Sequence, residues 1–134
     1  KATLVATNYD MEAGENLSRH LEDQPGVMHA GEAETSMMLV CERDLVDMSD
    51  ITKLASHEGS KHFLSVGQSS YRWRPFTHMT ENGLAGNPTR SNAVKGEKML
   101  EAGANALANL ITDPETWAAS KDLRLTETGG VPLR

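Results

Sequence analysis

The sequence predicts a fold that combines β-strands with α-helices, and two observations support this prediction. Residues 2–7 form a short, β-branched apolar run typical of a buried strand, whereas residues 91–112 carry Ala and Leu at helical spacing. At 134 residues the chain has the length of one domain with a modest core. The chain opens on Lys1, directly before this strand, so we expect residues 1–134 to be a single domain portion from a longer polypeptide.

The first half of the chain predicts two helices after the strand. Asp10 is a candidate N-cap for a helix over residues 11–21, which the turn residues at 24–26 would follow. A second helix is predicted from about residue 34 to residue 42, with apolar side chains along one side. Both helices are therefore expected to bury one face.

The second half predicts one long helix and several shorter features. Gly96 and Gly103 within the helix predicted at 91–112 would permit close packing against a neighbouring element. The shorter features are a strand at 63–66, a long loop at 68–88, a helix begun by Asp113 and Pro114, and a terminal arm at 125–134.

Composition and charge exclude several classes of partner. The net charge is -6 and the basic residues are scattered, which argues against nucleic acid or an anionic membrane as a partner. The sequence has no apolar stretch long enough to span a bilayer. Cys41 is the one cysteine, so no internal disulfide is possible and a reducing, cytoplasmic location is expected.

Residues 29–39 (HAGEAETSMML) contain the candidate functional residues. They place a histidine and two acids on a small-residue loop that leads into an apolar helix, an arrangement that suits a metal or general-base site. Taken alone, His29 is more simply a loop histidine, and Glu34 an acid stabilised by a helix N-terminus. The functional interpretation therefore depends on the surrounding pattern.

That pattern resembles the creatininase family of metal-dependent amidohydrolases. Residues 29–39 are similar to its signature, and residues 82–88, followed by Lys95-Gly96-Glu97 and an Ala/Leu helix, are similar to its C-terminal turn and final helix. The resemblance extends to about Ile111. It implies the C-terminal half of a three-layer α/β/α domain with a mainly parallel central sheet, the N-terminal half being absent from this chain.

The resemblance also implies roles for individual residues. Glu34 matches a position at the metal centre, as a ligand or a carboxylate beside one, and the metal is expected to be Zn²⁺ or Mn²⁺, with Fe²⁺ a further option. His29 matches the active-site histidine, which is expected to transfer a proton or hold the substrate. Glu32 is expected to be a solvated acid or one that lies behind the metal ligands.

Departures from the family pattern argue against creatinine as the substrate. Met28, Pro25 and Tyr9 stand where creatininase itself has an acid and two tryptophans, and Tyr9 and Met28 are the expected substrate contacts. The resemblance implies a metal-dependent hydrolase acting on a small cyclic amide, a formamide, or a ketone such as the oxidised inositol 3-dehydro-scyllo-inosose, with ring-opening or C–C hydrolysis also open. The alternative is a non-catalytic binding or structural subunit.

The family's other metal ligands have no counterpart in this sequence. They lie in a Glu-x-His element, a nearby aspartate and a Gly-His-Gly-like turn. We therefore expect the N-terminal half to be supplied as a companion chain or missing segment, in a homo-oligomer that binds a small-molecule substrate.

Three aromatic residues have a role that the sequence leaves open, since they could cover a pocket or pack at a subunit contact (Tyr71, Trp73, Phe76). Three histidines are better explained as surface residues than as a metal cluster (His57, His62, His78).

Overall fold

The computed structural model describes residues 2–54, 73 and 75–120. Within these ranges the regular structure is helical. The α-helices are α1 (Tyr9–Ala13), α2 (Glu15–Ser18), α3 (Glu32–Cys41) and α4 (Ala93–Thr112). Short 3₁₀ helices lie at Arg43–Leu45, Ile51–Leu54, Phe76–His78 and Pro114–Trp117.

The structure contradicts the predicted fold class. No strand occurs in the described ranges, which is at odds with a three-layer α/β/α fold with a parallel sheet. Residues 2–7, predicted as a strand, have no regular secondary structure, and Leu4 is 92% exposed. A strand is held by backbone hydrogen bonds to a neighbouring strand, and no such partner is present among the described residues. The predicted strand at 63–66 and the arm at 125–134 lie outside them.

The first predicted helix is shorter and starts differently. Its N-cap is Asn8, whose side chain accepts a hydrogen bond from the backbone N–H of Asp10, so the prediction of Asp10 as the cap is wrong. Gly14 has a positive φ of 49°, which interrupts the right-handed helix and separates α1 from α2. Helical structure ends at Ser18 rather than at residue 21.

The other helix predictions are confirmed to within about two residues. Helix α3 begins at Glu32 instead of residue 34. Helix α4 is capped by Asn92, whose side chain accepts from the backbone N–H of Lys95 at 3.0 Å. The side chain of Asp113 caps the segment that begins with Pro114, as predicted, although this segment is a 3₁₀ helix.

Helix α4 packs closely against α1 and α3, and its glycines permit this approach. A Cβ atom at Gly96 would overlap the backbone carbonyl of Ser36 and lie 2.8 Å from Val40 Cγ2. A Cβ atom at Gly103 would lie 3.1 Å from the Tyr9 ring. The core between the helices contains Ala13, Leu17, Ala33, Met37 and Met99. Helix α4 therefore lies between α1 and α3 in the packing, because it contacts both of them.

Replacing Gly96 with alanine tests the close approach of α3 and α4. Alanine has the higher helix propensity, by about 1 kcal/mol, but its methyl group would force the two helices apart. We expect G96A to lower the free energy of unfolding in urea by roughly 1–3 kcal/mol. Gly26→Ala is the matched control, because a Cβ atom there meets nothing within 4 Å. Equal stability of the two variants would contradict the packing.

Candidate functional site

The loop that carries His29 is fixed by backbone hydrogen bonds. The His29 carbonyl accepts from the N–H groups of Ala85 and Gly86, each at 3.0 Å, and the Gly31 N–H donates to the Met28 carbonyl at 2.9 Å. Ala30 has a φ of 51°, a left-handed conformation that is uncommon for a non-glycine residue. The loop is thus held in one conformation by the turn around Gly86.

This loop places His29 beside Glu34. The Ala30 N–H donates to Glu34 Oε2 at 2.7 Å, and His29 Nδ1 lies 3.9 Å from the same oxygen. Glu34 is the third residue of α3, where the free N–H groups of the helix N-terminus favour a negative charge. The side chains of His29 and Glu34 are 51% and 40% exposed, so both remain accessible to a ligand.

An aromatic ring covers one side of His29. The imidazole meets the Phe76 ring edge to face, with the ring centroids 4.8 Å apart. Of the three aromatic residues whose role the sequence leaves open, Phe76 therefore contacts the candidate site. Trp73 is 73% exposed, and Tyr71 lies outside the described residues. Among the candidate histidines, His57 and His62 also lie outside, and His78 is exposed on the Phe76–His78 turn.

A cleft of about 480 Å³ adjoins Glu34. Its lining is mainly apolar and consists of Tyr9, Glu34, Met37, Met38, Cys41 and Leu100. Burial raises the pKa of Tyr9, as do the negative charges of Asp10 and Glu34, so its phenol stays protonated at neutral pH. Met28, the other predicted substrate contact, packs instead at the Gly86 turn, where a glycine Cβ atom would lie 3.0 Å from Met28 Cβ.

Glu32 is fully buried, so of the two expectations for it the solvated acid is wrong, and the acid behind the metal ligands stays a prediction. Its Oε2 accepts from the N–H groups of Glu22 at 3.0 Å and Asp23 at 3.4 Å. Its Oε1 pairs with Lys95 Nζ, which also pairs with Glu22. This ion pair holds the first turn of α4 against the first turn of α3.

Sequence reasoning did not identify Lys95 as part of this network. Burial lowers the pKa of Lys95, but its hydrogen bonds to Glu22 and Glu32 and their charges outweigh burial and raise it overall, so the side chain is charged at neutral pH. One signal was present: a lysine in the first turn of a helix is unfavourable for the helix dipole. Such a lysine suggests an acidic partner elsewhere in the fold.

The described residues do not by themselves form a complete metal site. No group of three or more His, Cys, Asp or Glu side chains able to hold a metal occurs among them. Zinc sites in proteins use three or four protein ligands, and here His29 and Glu34 are the two candidates that lie together. Glu34 fits the part of one carboxylate ligand, because the bond from Ala30 occupies Oε2 and leaves Oε1 for another contact.

Comparison with known protein families shows to which family the chain belongs. A family model described as creatinine amidohydrolase matches residues 2–111, which is most of the chain. The chain belongs to the creatininase family. This match confirms the resemblance drawn from residues 29–39. Members of the creatininase family are in general metal-dependent hydrolases.

Other comparisons add little to the family assignment. Neither the curated proteins nor the solved structures gave a match to this chain.

None of the helices in the described ranges is long and apolar enough to cross a membrane.

Removing the partner of Glu32 tests the buried ion pair. Lys95→Met leaves a fully buried carboxylate without its cation, so we expect a loss of about 3–5 kcal/mol in the free energy of unfolding. Adding Glu32→Gln should restore part of this loss, because no buried charge then remains. Lys98→Met, on the exposed side of α4, is the control. The free energy of unfolding is measured by urea denaturation. Equal values for K95M and K98M would show that the Glu32–Lys95 ion pair does not stabilise the fold.

Proposed function

We propose that this creatininase-family chain is part of a metal-dependent hydrolase in which His29 transfers a proton and Glu34 binds at the metal. The observation that carries the proposal is the placement of the two side chains on one fixed loop and helix start, with His29 Nδ1 3.9 Å from Glu34 Oε2. The substrate we propose is a small cyclic amide, a formamide, or a ketone such as an oxidised inositol.

The surroundings of His29 suit a proton-transfer residue. An imidazole titrates near neutral pH and can both accept and donate a proton. Glu34 Oε2 lies 3.9 Å from Nδ1, and the edge-to-face contact with Phe76 limits how the ring can turn. The remaining ring nitrogen, Nε2, is the atom we propose to face the substrate.

Glu34 is the carboxylate that we propose this part of the chain contributes to the metal centre. When bound, a divalent metal ion polarises a carbonyl group and lowers the pKa of a bound water. The N–H of Ala30 orients the Glu34 carboxylate through Oε2. We propose that the other ligands come from the N-terminal half of the family domain, present either as a companion chain or as a missing segment, because the corresponding family elements have no counterpart in this sequence. We also propose that the protein is a homo-oligomer.

The cleft beside Glu34 supports a substrate with an apolar face. Met37, Met38 and Leu100 provide an apolar lining, and the protonated phenol of Tyr9 can hydrogen-bond to one polar group. This lining suits a ring with few polar substituents better than a freely soluble polyol. We propose a cyclic amide as the first substrate to test, then formamides and inosose-type ketones.

Substitutions at Glu34 and His29 test this function in the metal-loaded complete protein. We expect Glu34→Gln to lower metal affinity by at least roughly 10- to 100-fold, because it removes a charged ligand. We expect His29→Ala to retain metal and to lower kcat by about 10²–10⁴-fold, because it removes the proton-transfer group. Metal content is measured by mass spectrometry, and turnover is measured on creatinine, cyclic amides, formamides and inosose-type ketones.

Two control variants separate these effects from general damage. Glu97→Gln removes an exposed acid from α4, and His20→Ala removes a histidine away from the candidate site. Both should keep wild-type metal content and turnover. If the complete protein binds no divalent metal, or if E34Q and H29A behave like these controls, the hydrolase proposal fails and a non-catalytic subunit is favoured.

A further inference from the structure

We propose that Gln24 is a positioning residue for the candidate active site, because its side-chain amide sets the conformation of the loop that carries His29. This inference rests on the proposed function for the roles of His29 and Glu34. Gln24 lies outside the motif at residues 29–39, and its Oε1 accepts from backbone N–H groups of the segments that support His29 and Glu34. It is therefore expected to act on the reaction indirectly.

The Gln24 side chain joins two segments that meet at the site. Its Oε1 accepts from the N–H of Asn87 at 2.7 Å and from the N–H of Glu32 at 3.3 Å. The first bond holds the turn whose N–H groups, at Ala85 and Gly86, bind the His29 carbonyl. The second bond holds the first residue of α3, two residues before Glu34. One oxygen atom thus links both supports of the His29 and Glu34 pair.

The Gln24 side-chain amide packs tightly against the backbone at Gly31 and Gly86, where no larger residue would fit. A Cβ atom at Gly31 would lie 2.5 Å from Gln24 Oε1 and 2.6 Å from its Nε2. A Cβ atom at Gly86 would lie 2.9 Å from the same Oε1 and 2.6 Å from the Gly31 Cα. The side chain is therefore enclosed by the backbone of both segments, and a shift of the amide requires a shift of the His29 loop.

The two ends of the amide differ in their hydrogen bonding. Oε1 makes both bonds, whereas Nε2 is buried without a hydrogen-bond partner among the described residues. A buried donor without a partner lowers stability, so Nε2 does not help to hold the loop. We therefore propose that Gln24 positions the His29 loop through Oε1. Glutamate at this position keeps an acceptor oxygen in place but adds a negative charge at the buried Nε2 position, so a loss of stability is expected for this variant. Methionine removes the acceptor at similar size. These two variants therefore separate the acceptor from the bulk of the side chain.

The test compares Gln24→Met and Gln24→Glu in the metal-loaded complete protein. We expect Q24M to lower kcat by roughly 10- to 100-fold with little change in KM, because small displacements of reacting groups are costly. We also expect the Ala30 amide proton to shift upfield in NMR spectra, since its bond to Glu34 would lengthen. Q24E should recover most of both properties. Asn105→Met, which removes an amide from a polar groove elsewhere on α4, should change neither.

Each outcome decides the proposal. A Q24M variant that loses only thermal stability, with wild-type kcat and Ala30 signal, would overturn it. If Q24M does not fold, a folded Q24E decides by the same two readouts, and if neither folds Gln24 is a stability residue and the proposal fails. Should the wild-type protein show no hydrolase activity, the proposed function fails, while the Ala30 signal still reports whether Gln24 positions the loop.

Discussion

The Glu32 carboxylate is completely buried, and the arrangement of the helices around it follows from this burial. A buried charge must be compensated by a counter-ion and by hydrogen bonds. Lys95 supplies the counter-ion from α4, and backbone N–H groups of Glu22 and Asp23 supply the hydrogen bonds. Satisfying one carboxylate therefore brings together three parts of the chain: the segment after α2, the start of α3 and the start of α4. Glu34 follows two residues later on the same helix.

Close helix packing and backbone hydrogen bonds fix the positions of α3, α4 and the His29 loop, which together form the candidate site. The lack of a side chain at Gly96 allows α4 to reach the backbone of Ser36, and the buried Ser36 hydroxyl accepts from the N–H of Asn92 at 3.1 Å. These contacts hold α3 along α4, while the turn around Gly86 holds the His29 loop. The candidate site is therefore supported mainly by backbone groups. The side chains of His29 and Glu34 remain accessible.

The two longer helices could be predicted from the sequence, whereas the contacts between distant polar and aromatic side chains could not. The helices at 34–42 and 91–112 were predicted because periodicity and capping residues are local signals. His29 and Glu34 were identified together because they lie in one short motif. The strand at 2–7 was wrong because pairing depends on a partner that local sequence does not specify. The burial of Glu32 could not be decided from the sequence, because its partner, Lys95, is 63 residues away. The contact of Phe76 with His29 was likewise beyond any local pattern.

The proposed function requires that Glu34 binds a divalent metal ion and that His29 lies beside it. Crystals of the complete protein loaded with Mn²⁺ or Zn²⁺, measured at the absorption edge of the metal, test it most directly. We expect an anomalous peak about 2.0–2.2 Å from a Glu34 carboxylate oxygen, a usual metal–carboxylate distance. We also expect the His29 imidazole to lie next to the metal without ligating it. A metal bound elsewhere, with Glu34 contacting only the Ala30 N–H, would show that Glu34 is not a metal ligand.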